Sequence, residues 1–368
     1  MNNIELSVII PVYNTEKYIE RCLESVVSAV KKSKVKSEII VVNDGSQDNS
    51  EIIINKFLKK YSNLIKYYKK ENAGLADTKN FGIRHSSGKY LSFVDSDDFI
   101  DEYFYYDTLE IINKENVDLL ICDWETVDEE NNKKYIVEAK NMQYEDDKWG
   151  CIDVPIMPSS CNKIVKRELF INLEFPVGLR YEDLGTTLVL FFRAGKIKYV
   201  NKPYYKYCLR PNSIMRTDFD EKNLQIIDIF YIIYERVNKL SISNDDKEKA
   251  MYMIYTRRFY EFLLENISKE KFINRIKLLK IFCKKIYSLN RIMNKNKYFK
   301  KNVYYIQSTK KRLCNKILHF FINNKFYLLI SIVLNRRLYY KFFHIQYKSI
   351  DLMEVRDEGK NCSINTML

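Results

Sequence analysis

Three polar clusters in the first hundred residues each follow a short apolar run. Pro11-Val12-Tyr13-Asn14 follows the first run, Asn43-Asp44-Gly45-Ser46 follows the second, and Asp95-Ser96-Asp97-Asp98 follows a later one. Taken alone, the second cluster is also common turn chemistry, and the third also fits a helix start with acidic residues in its first turn. The repeated position after apolar runs favours one shared site.

The acidic cluster has the composition of a divalent-cation site. Asp95 and Asp97 are two residues apart at the end of an extended segment, so their carboxylates project to the same side. Hard oxygen ligands of this kind suit Mg2+ or Mn2+, and the oxygens of a diphosphate can complete the coordination. A cation would also relieve the repulsion between the carboxylates. The candidate metal ligands are therefore Asp97, Asp95 and Asp98.

Predicted strands and helices alternate around these clusters. Apolar runs predict strands at 6–10, 38–42, 64–68, 90–94 and 118–123, and helical spacing predicts helices at 16–31, 52–61, 74–85 and 103–113. This alternation predicts an α/β fold with a mostly parallel central sheet and helices on both faces. Ligands of such sheets bind beyond the carboxyl ends of the strands, where the three clusters lie.

The second hundred residues give a less regular pattern. We predict helices at 162–171 and 184–194 and strands at 197–200 and 204–209, while the polar segment 126–150 predicts a variable loop. A boundary is expected near 216–222, beyond which the chain is predicted to be helical. Eight scattered cysteines without a CxxC pair indicate reduced, mostly buried thiols.

The ordered segments PVYNTEKYIERCLESV, EIIVVNDGSQDNS, ENAGLADTKNFGI, GKYLSFVDSDDF and YEDL carry a family resemblance. They resemble the inverting family-2 glycosyltransferases of the GT-A fold, and most closely the bacterial enzymes that build surface polysaccharides. The likeness covers about residues 5–215. It implies a Rossmann-like nucleotide-diphospho-sugar transferase domain at 1–218, with a nucleotide-sugar half at about 1–100 and an acceptor half at about 101–218. A basic helical C-terminal region at 219–368 would follow, as a membrane-surface or an oligomerisation module.

The resemblance also implies which residues bind the donor. The first cluster would line the base pocket, and Asp44 would hydrogen-bond the base. Lys79 stands where the family usually has Arg, and it keeps the charge without the bidentate fork. Residues of an N-x-G-x-x-x-x-x-N stretch and of a late R-x-x-S element would lie near the donor. The full implied set is Pro11, Val12, Tyr13, Asn14, Asp44, Asn72, Gly74, Lys79, Asn80, Asp95, Ser96, Arg210 and Ser213.

By the same resemblance, Glu182-Asp183 matches an E-D pair whose second acid is the general base. Asp183 is therefore the expected base with Glu182 beside it, although a helix-start acid is an equally simple role for that position. Asp97 would touch an Mg2+ or Mn2+ ion directly. Cys161 stands where the family often has Trp, which implies a differently shaped acceptor pocket. The implied reaction is inverting transfer from a nucleotide sugar, expected to be UDP-linked, to a glycan or lipid-linked acceptor.

Positive charge is concentrated near the C-terminus. Residues 271–350 contain 20 Lys and Arg and no acid, whereas the first 270 residues sum to −5. Apolar residues recur at helical spacing at 272–286 and 313–321, so this region is either a helical subdomain or a peripheral anchor for an anionic membrane. Nucleic acid is a weaker alternative because no recognition motif accompanies the charge. With no membrane-spanning run and no leader, we expect a cytoplasmic chain, peripheral on the inner face of the membrane.

Other functions remain as alternatives. A sugar nucleotidyltransferase would need a Gly-rich signature near the N-terminus, and a nicotinamide enzyme would need G-x-G-x-x-G after the first strand, where PVYN stands instead. A non-catalytic, membrane-associated nucleotide-sugar-binding protein of the same fold is the remaining alternative.

Overall fold

The computed structural model describes residues 4–128, 133–137, 158–209, 219–255, 261–293, 295–300, 330 and 355–356. The chain forms two compact units, one of Met1–Arg216 with Leu352–Leu368 and one of Thr217–Asp351. The first unit holds the sheet, and the described elements of the second are helical.

The first unit begins with alternating strands and helices, as the sequence predicts. They are β1 (Leu6–Val12), α1 (Ile19–Ser33), β2 (Ser37–Asn43), α2 (Ser50–Lys60), β3 (Ile65–Lys69), α3 (Leu75–His85) and β4 (Tyr90–Phe93). The elements that follow are β5 (Phe99–Ile100), α4 (Phe104–Glu115), β6 (Leu119–Asp128), β7 (Lys133–Val137), β8 (Lys163–Lys166), α5 (Glu182–Arg193), β9 (Ile197–Cys208) and β10 (Val355–Arg356). The predicted α/β class is confirmed.

The sheet has a parallel half and a mixed half. Its strand order is β10-β7-β6-β8-β4-β1-β2-β3, with β9 pairing with β5 and β6. The pairs β2–β3, β1–β2 and β1–β4 are parallel, because helical crossovers connect these strands. Beyond β4, strand β8 runs antiparallel to both β4 and β6, and β6 is parallel to β9. The parallel prediction thus describes the half that carries the three polar clusters.

Between residues 126 and 209, the structure differs from three of the elements predicted from the sequence. The predicted helix at 162–171 is strand β8 followed by a 3₁₀ turn at Arg167–Phe170, because β-branched Ile164 and Val165 are buried between two neighbouring strands. The predicted loop at 126–150 contains the end of β6 and all of β7. The two late strands form one strand, β9, whose pairing with β6 shifts register between Cys122 and Trp124.

Close packing joins α3 to the centre of the sheet. A Cβ on Gly82 would lie 2.4 Å from Cγ2 of Ile9 in β1, so only glycine permits this approach of helix to strand. Ile9 and Ile10 point to opposite faces of β1 and are both buried, as expected for a strand covered by helices on both sides. α3 therefore carries its polar residues to the carboxyl-end edge of the sheet.

The described part of the second unit contains five helices. They are α6 (Ile226–Asn238), α7 (Asn244–Met253), α8 (Glu261–Lys269), α9 (Phe272–Met293) and α10 (Lys297–Lys300). The predicted stripe of α9 is largely internal, with Leu279, Cys283 and Ile286 buried. The second predicted stripe, at 313–321, lies outside the described residues. None of the helices in the described part of the chain has both the length and the hydropathy needed to cross a bilayer.

Candidate active site

The three polar clusters lie at one edge of the sheet and contact one another. β1 lies between β2 and β4, so the segments after these parallel strands emerge side by side. The backbone N–H of Asn14 donates to Oγ of Ser46 at 3.1 Å, which links the first cluster to the second. The Thr15 hydroxyl donates to Oγ of Ser96 at 3.1 Å, which links the first to the third. The structure therefore brings together segments separated by more than 80 residues.

Asp44 binds the loop between β3 and α3. Its carboxylate accepts backbone amides of Ala73 and Gly74, both at 2.9 Å, and the ammonium of Lys70. Gly74 has φ of 91°, a conformation that favours glycine, and it is the residue immediately before α3. Asp44 thus fixes the chain direction at the start of α3.

Lys70 is a site residue that sequence reasoning missed. Its ammonium also contacts Oδ2 of Asp77 at 2.9 Å. Burial opposes the charge on Lys70, but the hydrogen bonds that its ammonium donates to Asp44 and Asp77 outweigh that effect and raise its pKa. In the sequence, the only feature that points to Lys70 is its position two residues before Asn72, where the N-x-G-x-x-x-x-x-N stretch begins.

One carboxylate oxygen of Asp95 is left without a hydrogen bond in the described part of the chain. Its Oδ2 accepts the thiol of Cys161 at 3.1 Å, while its Oδ1 is buried and has no hydrogen-bond partner among the described residues. A buried, unpartnered carboxylate oxygen is costly unless a cation or donor group meets it. Together with the partly exposed Asp97, this oxygen fits a Mg2+ or Mn2+ site. No group of three or more His, Cys, Asp or Glu at metal-binding spacing occurs in the described ranges.

Asp98 faces the protein interior. It is 1% exposed, and its carboxylate accepts the Tyr205 hydroxyl at 2.6 Å and the Cys208 amide at 2.8 Å. Burial, and next the charges of Asp97 and Asp95, raise the pKa of Asp98 well above its usual value. Through these contacts, the loop that carries the acidic cluster, which we call the acidic loop, is tied to β9.

A buried ion-pair cluster holds the predicted general base. The Lys79 ammonium lies 2.7 Å from Oδ1 of Asp183 and 3.3 Å from Oε1 of Glu182. Burial raises the pKa of Glu182 above its usual value, against the opposing charge of Lys79. Tyr181, directly before α5, has φ of 67°, which is uncommon for an aromatic residue and marks a constrained backbone at this point.

Two consecutive residues connect the base to the acidic cluster. The Ser160 amide donates to Oδ2 of Asp183 at 3.1 Å, and the next residue, Cys161, contacts Asp95. Asp183 and Asp95, 88 positions apart in the sequence, therefore both contact one short segment. Sequence reasoning missed Ser160, since only a backbone amide is used.

The remaining predicted residues occupy varied positions. Pro11 and Val12 are buried in β1, whereas Tyr13 is 51% exposed beside them and Asn72 is exposed. The Asn80 amide exchanges two hydrogen bonds with the backbone of Phe175, at 2.7 and 2.8 Å, so it anchors the segment before α5. Arg210 and Ser213 lie outside the described residues.

Comparison with known protein families gives a consistent match. A profile described as "Glycosyl transferase family 2" matches residues 7–173. Glycosyltransferase GlyG of Streptococcus pneumoniae serotype 4 is 32% identical in an alignment of 229 residues, and the match covers 58% of this chain and 74% of that protein. The minor teichoic acid biosynthesis protein GgaB of Bacillus subtilis is 24% identical over 283 residues, covering 73% of this chain and 30% of that protein. This chain thus spans less than a third of GgaB.

Solved structures share the fold. S. aureus TarS 1–349, crystallised with UDP-GlcNAc, has a TM-score of 0.65 at 19% identity, covering 96% of this chain and 97% of that one. The mannosyltransferase PcManGT of Pyrobaculum calidifontis, in complex with GDP-Man and Mn2+, has a TM-score of 0.51 at 14% identity, covering 91% and 87%. These likenesses show a common GT-A architecture.

Proposed function

This chain belongs to glycosyltransferase family 2, and from that membership we propose that it is a metal-dependent, inverting transferase of surface-polysaccharide synthesis. It moves a hexosyl or N-acetylhexosaminyl group from a UDP-sugar to a glycan or lipid-linked acceptor. The enzyme class follows from the family. What we propose beyond the class is the UDP-sugar donor, the dependence on a metal, the inversion of the anomeric centre and the type of acceptor.

One observation carries the proposal. The Ser160–Cys161 segment contacts both Asp183 and Asp95, so the expected base and one expected metal-binding acid lie against the same two residues. A transferase needs this proximity, because the acceptor hydroxyl and the leaving diphosphate lie on opposite sides of the same anomeric carbon. Positioning of this kind is worth up to about 7–11 kcal/mol of the barrier.

Asp97 and Asp95 would hold the Mg2+ or Mn2+ ion. When bound, the ion neutralises charge that develops on the departing nucleoside diphosphate. The unpartnered Oδ1 of Asp95 supports this assignment. Asp98 supports this site from the interior, because its carboxylate binds the acidic loop to Tyr205 and Cys208 of β9.

Asp183 removes the proton of the acceptor hydroxyl as that oxygen attacks the anomeric carbon. A carboxylate has about four acceptor positions, and among the described residues Lys79 binds one oxygen of Asp183 and the Ser160 amide binds the other. Room therefore remains for a substrate hydroxyl. Direct displacement turns an α-linked donor into a β-glycoside, and general-base assistance contributes typically about 10²–10⁴-fold to such a step.

The nucleotide lies against the first two clusters. Exposed Tyr13 offers a ring for stacking on the base, and the hydrogen bond to the base is assigned to Asp44 from the family pattern. Gly74, Asn72 and Ser96 border the same edge, while Arg210 and Ser213 are assigned to the diphosphate from the family pattern. A UDP donor is supported by the shared fold with TarS, which was crystallised with UDP-GlcNAc.

The second unit forms a peripheral contact with an anionic membrane surface, which places the chain on the inner face of the cell membrane. In α9 the apolar residues Leu279, Cys283 and Ile286 are buried, whereas the lysines of another face are exposed, namely Lys277, Lys280 and Lys284. The contact is therefore electrostatic rather than an insertion of the apolar stripe. In this arrangement 1–218 is the catalytic domain and 219–368 the accessory region.

A donor panel tests the proposal. Full-length protein is mixed with individual UDP-sugars, Mn2+ and a library of glycan and lipid-linked acceptors, and products are detected by mass spectrometry. We expect transfer from at least one UDP-sugar and a β-configured product. Asp97→Asn should abolish transfer, whereas Asp107→Asn on α4, an acid outside the site, should retain it. UDP binding without any turnover would favour the non-catalytic alternative and contradict the proposal.

A further inference from the structure

Lys79 is buried at the centre of the active-site acids. Its side chain is 1% exposed, and it lies on α3 with its ammonium 5.2 Å from the centroid of the Phe175 ring. Within the described part of the chain, that ammonium donates hydrogen bonds to Asp183 and Glu182. With so little of the side chain exposed, the ammonium is covered by protein on all sides but a small fraction of its surface.

The burial of this cation requires compensating anions. Removing an ammonium from water is costly unless it is paired and hydrogen-bonded. Burial lowers the pKa of Lys79, but the charges of Asp183, Glu182 and Asp95 outweigh that effect and raise it well above its usual value. The lysine therefore remains charged, and its charge is directed at the carboxylates.

The two sides of the Asp183 carboxylate are fixed by different elements. Lys79 of α3 binds Oδ1, and the Ser160 amide binds Oδ2. These two contacts restrict rotation of the carboxylate plane. Glu182 contacts the same ammonium, so the lysine cannot follow Asp183 if that side chain moves.

We propose that Lys79 is a positioning residue that holds the Asp183 carboxylate for proton abstraction and does not bind the donor diphosphate. This inference rests on the proposed function, in which Asp183 is the base. During transfer the hydroxyl proton moves to Asp183, the acceptor oxygen forms the new glycosidic bond, and the nucleoside diphosphate departs with the electron pair. Lys79 keeps all its protons and acts only through the geometry of Asp183.

A double-mutant cycle in the full-length chain separates the two roles. The variants are Lys79→Met, Lys79→Arg, Asp183→Asn and the Lys79→Met/Asp183→Asn double variant. Lys79→Met should lower kcat about 100-fold, within the range of general-base effects. The KM for the donor and the calorimetric Kd for UDP should stay within about threefold of the wild-type values. The variant keeps the contacts that bind the donor equally well in the ground state and in the transition state. Lys79→Arg should recover most of kcat, since it keeps a buried cation.

The controls make each outcome decisive. Lys66→Met removes a cation from the buried carboxylate of Glu38, away from the site, and should leave kcat unchanged in folded protein. In the Asp183→Asn background, Lys79→Met should cause no further loss, because a positioning residue has nothing left to position. Multiplicative losses in the double variant, or a UDP Kd that weakens in step with kcat, would overturn the inference. Wild-type protein that transfers no sugar would overturn the proposed function itself.

Discussion

Cys161 shows how one side chain can direct a carboxylate. Its thiol donates to Oδ2 of Asp95 and leaves Oδ1 as the oxygen without a hydrogen-bond partner among the residues that the structure describes. Burial, and next the Asp95 charge, raise the pKa of this thiol well above its usual value, so it stays protonated and remains a donor. The orientation of the proposed metal ligand therefore depends on a neutral thiol.

Replacing Cys161 tests that dependence. Valine has a similar size but no donor, so Cys161→Val should weaken Mn2+ binding in the presence of UDP by about 10-fold, since a hydrogen bond to a charged group is worth about 1.5–3 kcal/mol. Cys161→Ser keeps a donor and should stay close to wild type. Electron paramagnetic resonance of free Mn2+ in a titration measures both affinities. Equal Mn2+ affinity for the valine and serine variants would show that the thiol does not orient Asp95.

At this scale, motif residues were predictable and their partners were not. The acids at 44, 95, 97 and 183 stand in recognisable sequence patterns. By contrast, Asp98 was expected near a metal, and its contact with Tyr205 joins residues 107 positions apart. Such long-range partners depend on how the β9 strand folds back beside the acidic loop, which no local pattern specifies.

At the level of elements, one glutamate ties the parallel strands together. Glu38 of β2 accepts the Ser7 hydroxyl of β1 at 2.6 Å, the amide and hydroxyl of Ser87 just before β4, and the ammonium of Lys66 in β3. Burial would raise its pKa, but these hydrogen bonds outweigh burial and lower the pKa from 4.5. The carboxylate therefore contributes to the stability of the parallel half.

Glu38→Gln should remove a pH-dependent part of that stability. Because the folded pKa lies below the unfolded one, the contribution is complete above about pH 4.5 and is lost as the pH falls through the folded value. At pH 7 we expect a loss of about 1–3 kcal/mol in unfolding free energy, typical of a buried hydrogen-bonding group that loses its partner. Chemical denaturation at pH 7 and at pH 3.5 measures the difference between variant and wild type. A difference that does not shrink at the lower pH would contradict this role.

The elements of the parallel half were predictable because their signals are local. Buried apolar strands and amphipathic helices alternate along that part of the chain, and the crossover helices set parallel pairing. Strand β8 was not predictable in this way. Its few residues fit either a helix or a strand, and pairing with β4 and β6, which lie 40 to 80 positions earlier, decides between them.

For the molecule as a whole, charge is divided between the two parts of the chain. The basic stretch at 271–350 contrasts with the net −5 of the first 270 residues. Within α9, Lys280 and Lys284 are exposed, while Lys277 pairs with Glu221 at 2.6 Å. The start of the helix also exposes Phe272 and Ile273, the latter by 83%. This surface combines positive charge with apolar side chains, which suits an anionic lipid surface.

Vesicle sedimentation tests the role of that charge. Each basic residue near an anionic surface contributes about 1 kcal/mol, so Lys280→Gln/Lys284→Gln should weaken binding to phosphatidylserine vesicles about 10- to 30-fold. Lys59→Gln/Lys60→Gln on α2 makes the same charge change in the first unit and should have little effect. Equal weakening by both double variants would indicate a net-charge effect and not a contact through α9.

The most direct test of a metal-dependent active site at this edge of the sheet is to measure sugar transfer by the Asp97→Asn variant. Wild-type protein, stripped of metal and resupplied with Mn2+, should convert a UDP-sugar and an acceptor into a glycoside detected by mass spectrometry. The variant should give no product at any Mn2+ concentration, because the acidic loop would lack the carboxylate that meets the ion. Undiminished transfer by Asp97→Asn would contradict the assignment of this edge of the sheet as a metal-dependent active site.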